Sequence, residues 1–491
     1  MRRSIRFLRR GQPVELPDIE PTEMLLDHIR LREGACGTKE GCAEGDCGAC
    51  TVALGRLVDG KLVYQPVNSC ILMTGMADGA DVVIVDDLAR EGEPLHPVQQ
   101  ALVDYHGSQC GFCTPGFVMS LFTLYQSGKA PDRRTVTDWL AGNLCRCTGY
   151  RPIVDAALAS CSGNPADSHA RNAAATAAAL GEIGDTEDLF VGSDERFFAA
   201  PASLRSLADL YAAHANATLV AGATDVGLWV TKQLRDLPKI IHVGRVADFD
   251  TIGNEPDALV IGAGATYAQA EAQLAAIDPD VAELLRRLGS KQVRALGTIG
   301  GNIANASPVG DSPPLLIALD ATIELNRGGE IRTVPLDSFF IAYGKQDRQP
   351  GEFVQSVRIP KLAANQHLRC YKISKRFDQD ISAVLAAFRL TVENGAVTAA
   401  RVAFGGMAAT PKRGLATEAA LAGARLGDEP SWDNAIAALE LDFAPISDLR
   451  ASAEYRIETA QALLRKALRE LSGSPGARVT GIREARHEPA A

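Results

Sequence analysis

Ten of the eleven cysteines lie before residue 162, and this uneven distribution constrains the fold more than any other feature of the sequence. Clustered cysteines form disulfides in secreted proteins, whereas in cytosolic proteins they more often bind metal. The basic start, residues 1–10, lacks the apolar stretch of a secretory signal, because Pro13, Glu15 and Asp18 interrupt the next residues of the chain. We therefore expect a cytoplasmic protein whose N-terminal third binds metal.

The first cysteine set consists of Cys42, Cys47, Cys50 and Cys70. Its spacing is C-x4-C-x2-C with a fourth cysteine after 19 intervening residues, which is the plant-type [2Fe-2S] spacing. Four thiolates must converge on two irons, so one tight loop supplies three of them and a neighbouring element supplies the fourth. Glycines let that loop fold around a cluster and direct N–H groups at its sulfurs. Zinc sites usually show two C-x2–4-C pairs, so this spacing favours iron–sulfur.

The second cysteine set consists of Cys110, Cys113, Cys145 and Cys147. A C-x2-C pair and a C-x-C pair are separated by 31 residues, and each pair comes just before a predicted helix. The N–H groups at a helix start favour thiolates. Taken alone, this set also suits a four-cysteine zinc site, but beside the first set it predicts a second cluster. The remaining cysteines are interpreted as ordinary or buried thiols: Cys36, Cys161 and Cys370.

The chain of 491 residues is too long for one core, and its patterning predicts an α+β multidomain protein. Alternating apolar residues predict a hairpin at the start of a small α+β unit over 1–85, and the cysteine spacing within this unit is ferredoxin-like. Four short helices around two cysteine loops are predicted over 86–161, the third of them at 138–142. Residues 162–190 lack aromatic residues and amphipathic order, which predicts a linker or, alternatively, an Ala-rich helix. The rest is divided into a domain of strands, Gly-rich turns and helices over 191–367, a domain with strands before a long helix over 368–475, and a tail over 476–491.

Two Gly-rich turns, at 219–225 and 297–302, are candidates for binding a pyrophosphate. Glycines allow backbone N–H groups to approach phosphate, and Thr224 and Thr298 can add hydroxyl donors. As patterns alone, such turns are usually structural. The Gly-Ala-Gly at 262–264 lacks the third glycine of a nicotinamide-dinucleotide fingerprint, so we do not interpret it as one.

Composition excludes several classes of function. The net charge of −10 disfavours nucleic acid as a partner. No apolar run reaches the roughly 18–20 residues that span a bilayer, so no membrane association is expected. The eight histidines show no paired spacing typical of metal ligands.

Three strings resemble the cluster loops of the xanthine oxidase family of molybdenum hydroxylases: GCAEGDCGACTV at 41–52, QCGFCTPG at 109–116 and NLCRCTGYRP at 143–152. The resemblance implies a β-grasp first domain and a four-helix second domain, each with one [2Fe-2S] cluster. It implies that the second cluster takes electrons from a molybdopterin cofactor on a partner chain and that the first passes them to FAD. Gln109 and Cys147 would then face the pterin; the alternative for Gln109 is a loop-capping amide.

The strings LVAGATDV and TIGGNIANASPVGD are similar to the two FAD loops of this family, in a domain of the vanillyl-alcohol-oxidase (PCMH) type. The resemblance assigns flavin contacts to Leu219, Val220, Ala221, Gly222, Ala223, Thr224, Asp225, Val226, Thr298, Ile299, Gly300, Gly301, Asn302, Asp311 and Lys372. It also places Tyr343 and the loop 375–380, with Asp378, beside the face where NAD+ meets the flavin. A solvated charged loop is the alternative for 375–380.

The resemblance implies an electron relay. The partner oxidises hypoxanthine or xanthine to urate, electrons cross two clusters to FAD, and FAD reduces NAD+. Both clusters and FAD on one chain resemble the small subunit of bacterial members, so we expect a large molybdopterin-binding partner in a heterotetramer of two small and two large chains. No catalytic acid or base for the hydroxylation is expected here. An aldehyde or N-heterocycle as substrate, O2 as acceptor, and a non-enzymatic metal-binding interaction protein are the alternatives.

Overall fold

The computed structural model describes residues 1–89, 92–479 and 481–483. Its strands are β1 Ile5–Arg9, β2 Gln12–Leu16, β3 Thr51–Val58, β4 Lys61–Asn68, β5 Asp81–Val83, β6 Leu189–Gly192, β7 Phe197–Ala200, β8 Thr218–Val220, β9 Lys239–His242, β10 Ile252–Asn254, β11 Ala258–Gly262, β12 Thr322–Arg327, β13 Glu330–Pro335, β14 Phe340–Ala342, β15 Lys345–Gln346, β16 Phe353–Pro360, β17 Gln366–Ile373, β18 Val384–Glu393, β19 Ala396–Gly405, β20 Lys412–Arg413, β21 Ala477–Arg478 and β22 Gly481–Ile482.

Its helices are α1 Leu25–Asp27, α2 Pro97–Asp104, α3 Thr114–Gln126, α4 Arg133–Trp139, α5 Arg151–Ser160, α6 Ser168–Ile183, α7 Leu204–Ala213, α8 Val226–Thr231, α9 Tyr267–Ala275, α10 Pro279–Arg287, α11 Lys291–Leu296, α12 Ile299–Asn305, α13 Ser312–Ala318, α14 Leu336–Phe339, α15 Leu415–Leu421, α16 Asp433–Asp442 and α17 Ala453–Leu471. Within the described ranges, no helix combines the length and apolar character that crossing a bilayer requires. The chain divides into two compact units. The first comprises Met1–Ala247 and Gly289–Gly297, and the second comprises Asp248–Leu288 and the described residues from Thr298 onward.

The first unit begins with a five-stranded sheet in the order β2-β1-β5-β3-β4. The β1–β5 pair is parallel and the others are antiparallel, which is the predicted β-grasp arrangement. Arg10 and Gly11 both have positive φ, as the predicted tight turn between β1 and β2 requires. This sheet positions the first cysteine set, because Cys50 directly precedes β3 and Cys70 lies just after β4.

Helices α2 to α5 form the predicted helical domain, and their core also includes Ala53, Tyr64 and Val83 of the β-grasp sheet. The helix α3 has Pro115 in its first turn and ends before Gly128, as predicted. The prediction of a helix at 138–142 is wrong by about one turn. The helix α4 begins earlier because the side chain of Asp132 accepts the Thr135 N–H at 2.7 Å and caps it.

The segment 162–190 contains the 16-residue helix α6, so the Ala-rich alternative describes residues 168–183. Alanine has the best helix propensity, and Asp167 supplies an N-cap by accepting the Ala170 N–H at 3.0 Å. The same carboxylate contacts His96 Nε2 at 3.0 Å and accepts from Gln126 Nε2 at 2.9 Å. These bonds attach the start of α6 to the helical domain.

A second sheet of the first unit has the order β6-β7-β9-β8 and shares a core with the β-grasp sheet. Phe198 on β7 is fully buried in that core. Its ring lies so close to Gly75 that a Cβ there would come within 2.6 Å of it. Because of this shared core, the boundary after Ala247 falls inside the segment predicted as one flavin domain, 191–367.

The second unit contains an antiparallel sheet in the order β10-β11-β16-β12-β13 and another in the order β17-β18-β19-β20. The long helix α17 packs on the latter around Trp432, Phe388 and Leu464, which confirms the prediction of strands followed by a long helix. The predicted tail begins with the β21–β22 hairpin, in which Arg478 donates to Asp280 at 2.8 Å. Residues 480 and 484–491 of that tail lie outside the described residues.

Replacing Phe198 with alanine should lower the free energy of unfolding by about 3–5 kcal/mol, because a cavity would open between two sheets that share one core. Urea denaturation followed by circular dichroism measures the change. Leu57→Ala, at a strand position that is 40% exposed, is the control, with an expected loss of under about 0.5 kcal/mol. Equal losses for the two variants would contradict a shared core.

Candidate metal and flavin sites

The loop before β3 and the end of β4 bring the first cysteine set together. Cys42 forms hydrogen bonds with Cys47 and Cys70, and Cys70 forms another with Cys50. The Sγ of Cys42 also accepts the backbone N–H groups of Asp46 and Cys47, each at 3.3 Å. All four thiols therefore belong to one continuous group, with the backbone donors that stabilise negative sulfur.

The mutual contacts of these thiols limit how they ionise. The pKa of Cys42 is lowered, because Cys47 and Cys70 donate hydrogen bonds to its sulfur. The pKa values of Cys47 and Cys70 are raised by the same hydrogen bonds, since both thiols must stay protonated to donate them. Four thiolates can coexist here only if positive charge lies among them, and bound metal supplies such charge. The group thus fits a two-iron cluster in the number and type of its donors.

The second cysteine set joins the start of α3 to the loop before α5. Cys113 interacts with Cys145, and Cys110 interacts with Cys147. Burial, together with the hydrogen bond to Cys145, raises the pKa of Cys113 to about 12. The Sγ of Cys145 accepts the Thr148 N–H at 3.5 Å. Cys110 and Cys147 are exposed, so this set reaches the protein surface.

Neither cysteine set forms a site for a single metal ion. Among the described residues, no group of three or more Cys, His, Asp or Glu side chains is placed so that it could hold one. The three leftover cysteines lie elsewhere. Cys36 is exposed, whereas Cys161 and Cys370 are buried. Burial raises the pKa of Cys161 to about 11 and that of Cys370 well above its usual value, as expected for buried thiols.

The two cysteine loops touch each other directly. The backbone N–H of Leu144, next to Cys145, donates to the carbonyl of Cys47 at 3.0 Å. At Gly116 on α3, an added Cβ would lie 2.1 Å from the carbonyl oxygen of Gly48. The first turn of α3 can therefore approach the first cysteine loop only because residue 116 has no side chain.

The first cysteine set also contacts the element that follows the first Gly-rich turn. Cys50, Cys70 and Ile71 pack in one apolar cluster with Leu228 on α8. A Cβ at Gly227 would lie 2.7 Å from the carbonyl oxygen of Ile71, so the backbones are in close contact. The helix α8 begins at Val226, the last residue of the turn predicted to bind FAD.

The first predicted FAD turn runs from β8, which carries Leu219 and Val220, into α8. Ala223 has a φ of +56°, and a Cβ at Gly222 would lie 2.0 Å from the carbonyl oxygen of Leu296. Packing against α11 therefore already requires glycine at 222. Its approach to a pyrophosphate, with Ala221 and Thr224, stays a prediction. The carboxylate of Asp225 accepts the Trp229 Nε1–H at 3.0 Å.

The second predicted FAD turn, in the second unit, starts the helix α12. The Oγ1 of Thr298 accepts the Gly301 N–H at 2.9 Å and caps the helix that Ile299 begins. A Cβ at Gly300 would lie 2.3 Å from that of Ala263, so this glycine also has a packing reason. Asn302 Oδ1 accepts from the Ser312 hydroxyl at 2.7 Å. Sequence reasoning predicted the turn but not these contacts.

Asp311 and Lys372, far apart in the sequence, meet as a buried ion pair. Lys372 Nζ donates to Asp311 Oδ2 at 2.5 Å, and their side chains are 3% and 9% exposed, respectively. The Ser382 hydroxyl donates to the other carboxylate oxygen at 2.5 Å. Arg287, which sequence reasoning missed, donates to the Lys372 carbonyl at 2.8 Å. Its only sequence signal is a basic residue at the end of an amphipathic helix.

Arg287 also anchors the loop predicted to border NAD+. It donates to the Ser374 hydroxyl at 3.1 Å and to the Phe377 carbonyl at 3.3 Å, and it interacts electrostatically with Asp378. Tyr343 lies in the turn between β14 and β15 and is 75% exposed. On the first unit, Gln109 is exposed beside Cys110. The roles of these residues toward NAD+ and a pterin stay predictions.

Three family models match the chain. Residues 84–158 match a [2Fe-2S] binding domain, residues 193–362 match the FAD binding domain in molybdopterin dehydrogenase, and residues 369–471 match the CO dehydrogenase flavoprotein C-terminal domain. Xanthine dehydrogenase of Emericella nidulans is 30% identical over 90% of this chain and 36% of its own length. The chain belongs to the xanthine oxidase/molybdenum hydroxylase family. The match of residues 84–158 to a [2Fe-2S] binding domain also favours an iron–sulfur cluster over zinc for the second cysteine set.

Other relatives place this molybdenum hydroxylase family member among multidomain flavoproteins. Xanthine dehydrogenase of Drosophila subobscura is 32% identical over 82% of this chain and 34% of its own length. The chain thus spans about a third of the length of these curated relatives. The structure of reconstituted CO dehydrogenase from Oligotropha carboxidovorans is 29% identical, with a TM-score of 0.52, over 56% of this chain and 96% of that chain. These similarities confirm the predicted α+β multidomain fold, with [2Fe-2S], FAD-binding and C-terminal flavoprotein domains.

Replacing Lys372 with methionine should lower the free energy of unfolding by about 3–5 kcal/mol, because the buried carboxylate of Asp311 loses its counter-charge. Chemical denaturation of the isolated chain measures the loss. The double variant Lys372→Met/Asp311→Leu should regain most of the stability, since no buried charge is left unpaired, yet it should still purify with less flavin than the wild type. A fully flavin-loaded double variant would contradict a role for this pair in holding FAD.

Proposed function

We propose that the chain is the electron-transfer subunit of a xanthine dehydrogenase, equivalent to the small subunit of the bacterial enzymes. The observation that carries the proposal is continuous packing within the first unit. The second cysteine loop contacts the first at Cys47, and the first cysteine set contacts α8, which comes directly after the predicted FAD turn. The two thiol sets and that turn therefore lie in sequence along one packed body.

Each cofactor of the proposed relay is assigned to particular residues of the chain. Each of the two thiol sets would hold one [2Fe-2S] cluster. The predicted FAD contacts are 219–226 in the first unit and, in the second unit, 298–302, Asp311 and Lys372. When bound, the clusters supply one-electron transfer and FAD supplies the change to two-electron hydride transfer. The protein itself contributes spacing, sulfur-directed N–H groups and exclusion of water. Its buried thiols Cys50 and Cys70 belong to the innermost part of this path.

The second cysteine set lies on the face that we propose for a molybdopterin-binding partner. Cys110 and Cys147 are exposed, as are the apolar side chains of Phe112 and Tyr150 beside the set. The Tyr150 hydroxyl accepts the Cys145 N–H at 2.9 Å, which ties that ring to the set. Exposed aromatic residues around a redox group are suited to protein docking. A partner here would receive Gln109 at its pterin, and two copies of each chain would form the proposed heterotetramer.

For the electron acceptor we propose NAD+, bordered by Tyr343 and the loop that contains Asp378. Arg287 donates to the Phe377 carbonyl within this loop, and to the Lys372 carbonyl and the Ser374 hydroxyl just before it, which ties the loop to α10. An exposed tyrosine ring such as that of Tyr343 offers a surface on which a nicotinamide or adenine ring can stack.

A second candidate is the same relay serving a different molybdenum centre, for an aldehyde or an N-heterocycle. The similarity to CO dehydrogenase at 29% identity favours keeping it, because that level is close to the identity with the xanthine dehydrogenases. The partner sets the substrate in either case.

The test is to purify the chain with its co-purifying partner and assay it anaerobically with NAD+. Xanthine and hypoxanthine should each yield NADH, whereas an aldehyde and quinoline should not. The variant Cys145→Ser should lose NADH formation, because one ligand of the second cluster is gone. Cys161→Ser, which changes a buried thiol outside both sets, should keep it.

If only the aldehyde or quinoline yields NADH, the chain serves the second candidate, an aldehyde or N-heterocycle hydroxylase, and not a xanthine dehydrogenase. If the substrate is oxidised with O2 and no NADH forms, the proposal that NAD+ is the electron acceptor is wrong. A colourless complex without flavin absorbance would overturn the relay itself and favour a metal-binding interaction protein.

A further inference from the structure

We propose that Gln292 is a positioning residue that sets the distance between the two clusters and links them to the flavin turn. The inference rests on the proposed relay and deepens it. Gln292 lies on α11, which belongs to the first unit, and is completely buried. No cluster-binding pattern in the sequence includes it.

One side-chain nitrogen of Gln292 contacts three segments that adjoin the two cysteine sets. Its Nε2 shares its two hydrogens among three acceptors, Thr51 Oγ1 at 3.3 Å, Ser120 Oγ at 3.2 Å and Asn143 Oδ1 at 3.0 Å. Thr51 follows Cys50 of the first set. Asn143 lies two residues before Cys145 of the second set, and Ser120 is on α3, which starts next to Cys113. A single amide thus spans the contact between the two cysteine loops.

The hydrogen-bond polarity of this group requires an N–H donor at residue 292. The Thr51 hydroxyl donates to the Gly48 carbonyl at 2.6 Å, and the Ser120 hydroxyl donates to Asn143 Oδ1 at 2.6 Å. Both hydroxyl hydrogens are therefore used, and Gln292 faces three oxygen acceptors. A carboxylate of the same shape would place negative oxygen against all three.

Close packing holds the amide on its other side. The Oε1 of Gln292 has no hydrogen-bond partner, and it lies where a Cβ at Gly142 would come within 2.0 Å of it. The amide thus occupies a tight slot between α11 and the backbone before Asn143. A methyl group at residue 142 must push the amide away from its three acceptors.

The helix α11 connects Gln292 to the first predicted FAD turn. Its six residues span ~9 Å, and at its last residue the Leu296 carbonyl packs against Gly222 of the first predicted FAD turn. One end of α11 therefore contacts both cysteine loops, and the other end contacts the flavin turn. A shift of α11 would therefore change both spacings together.

The experiment compares Gln292→Leu, Gln292→Glu and Gly142→Ala with Gln100→Leu, in which an exposed glutamine on α2 undergoes the same chemical change. Each holoprotein is reduced with dithionite. Magnetic coupling between the two reduced clusters is measured by electron paramagnetic resonance at low temperature, since dipolar coupling falls steeply with distance. Iron content is measured on the same samples.

All three variants at the amide should contain the full iron complement yet show a reduced inter-cluster splitting, and Gln100→Leu should show the wild-type splitting. In Gln292→Glu the splitting should recover partly at low pH, where the protonated acid can donate one hydrogen bond. If Gln292→Leu does not fold, Gly142→Ala decides the question, because it displaces the amide without removing it. Wild-type splitting in fully loaded Gln292→Leu or Gly142→Ala would overturn the proposal. A wild type with no reduced-cluster signals would instead overturn the relay.

Discussion

Four sulfur atoms that are all to carry negative charge cannot share one small volume unless positive charge lies between them, and the first unit is built around this requirement. The thiols of the first set already compete for protons through their hydrogen bonds, which lower the pKa of Cys42 and raise those of Cys47 and Cys70. Backbone N–H groups relieve part of the charge. The β-grasp sheet holds Cys50 and Cys70 at the ends of adjacent strands.

The close contacts of the two cysteine loops and of the predicted FAD turn depend on glycines, which have no side chain. Gly48 and Gly116 let two cysteine-bearing elements approach until their backbones touch, and Gly222 and Gly227 do the same for the flavin turn. Each of these contacts shortens the path that an electron would travel through protein. Glycine is conformationally costly in an ordered structure, and here the close approach that it permits offsets that cost.

Much of this arrangement could be predicted from the sequence because its determinants are local. Cysteine spacing identified both thiol sets, and alternating apolar residues with a tight turn at Arg10 identified the first hairpin. The helix α4 was misplaced because its start depends on one capping carboxylate, Asp132, whose neighbours give no periodic signal. Hydrogen bonds between residues far apart in the chain could not be predicted from the sequence either. The bond from Gln292 to Asn143 and the anchoring of the loop at Phe377 by Arg287 join residues that the chain separates widely, and no local pattern encodes them.

The most direct test of the account removes one thiol from each set. We predict that Cys47→Ser loses or alters the reduced signal of the first cluster and keeps that of the second, in electron paramagnetic resonance spectra recorded after dithionite reduction. Cys113→Ser should do the reverse, and Cys36→Ser, at an exposed thiol outside both sets, should leave both signals intact. If Cys47→Ser and Cys113→Ser both keep two unchanged signals, these cysteines do not hold iron and the proposed relay is wrong.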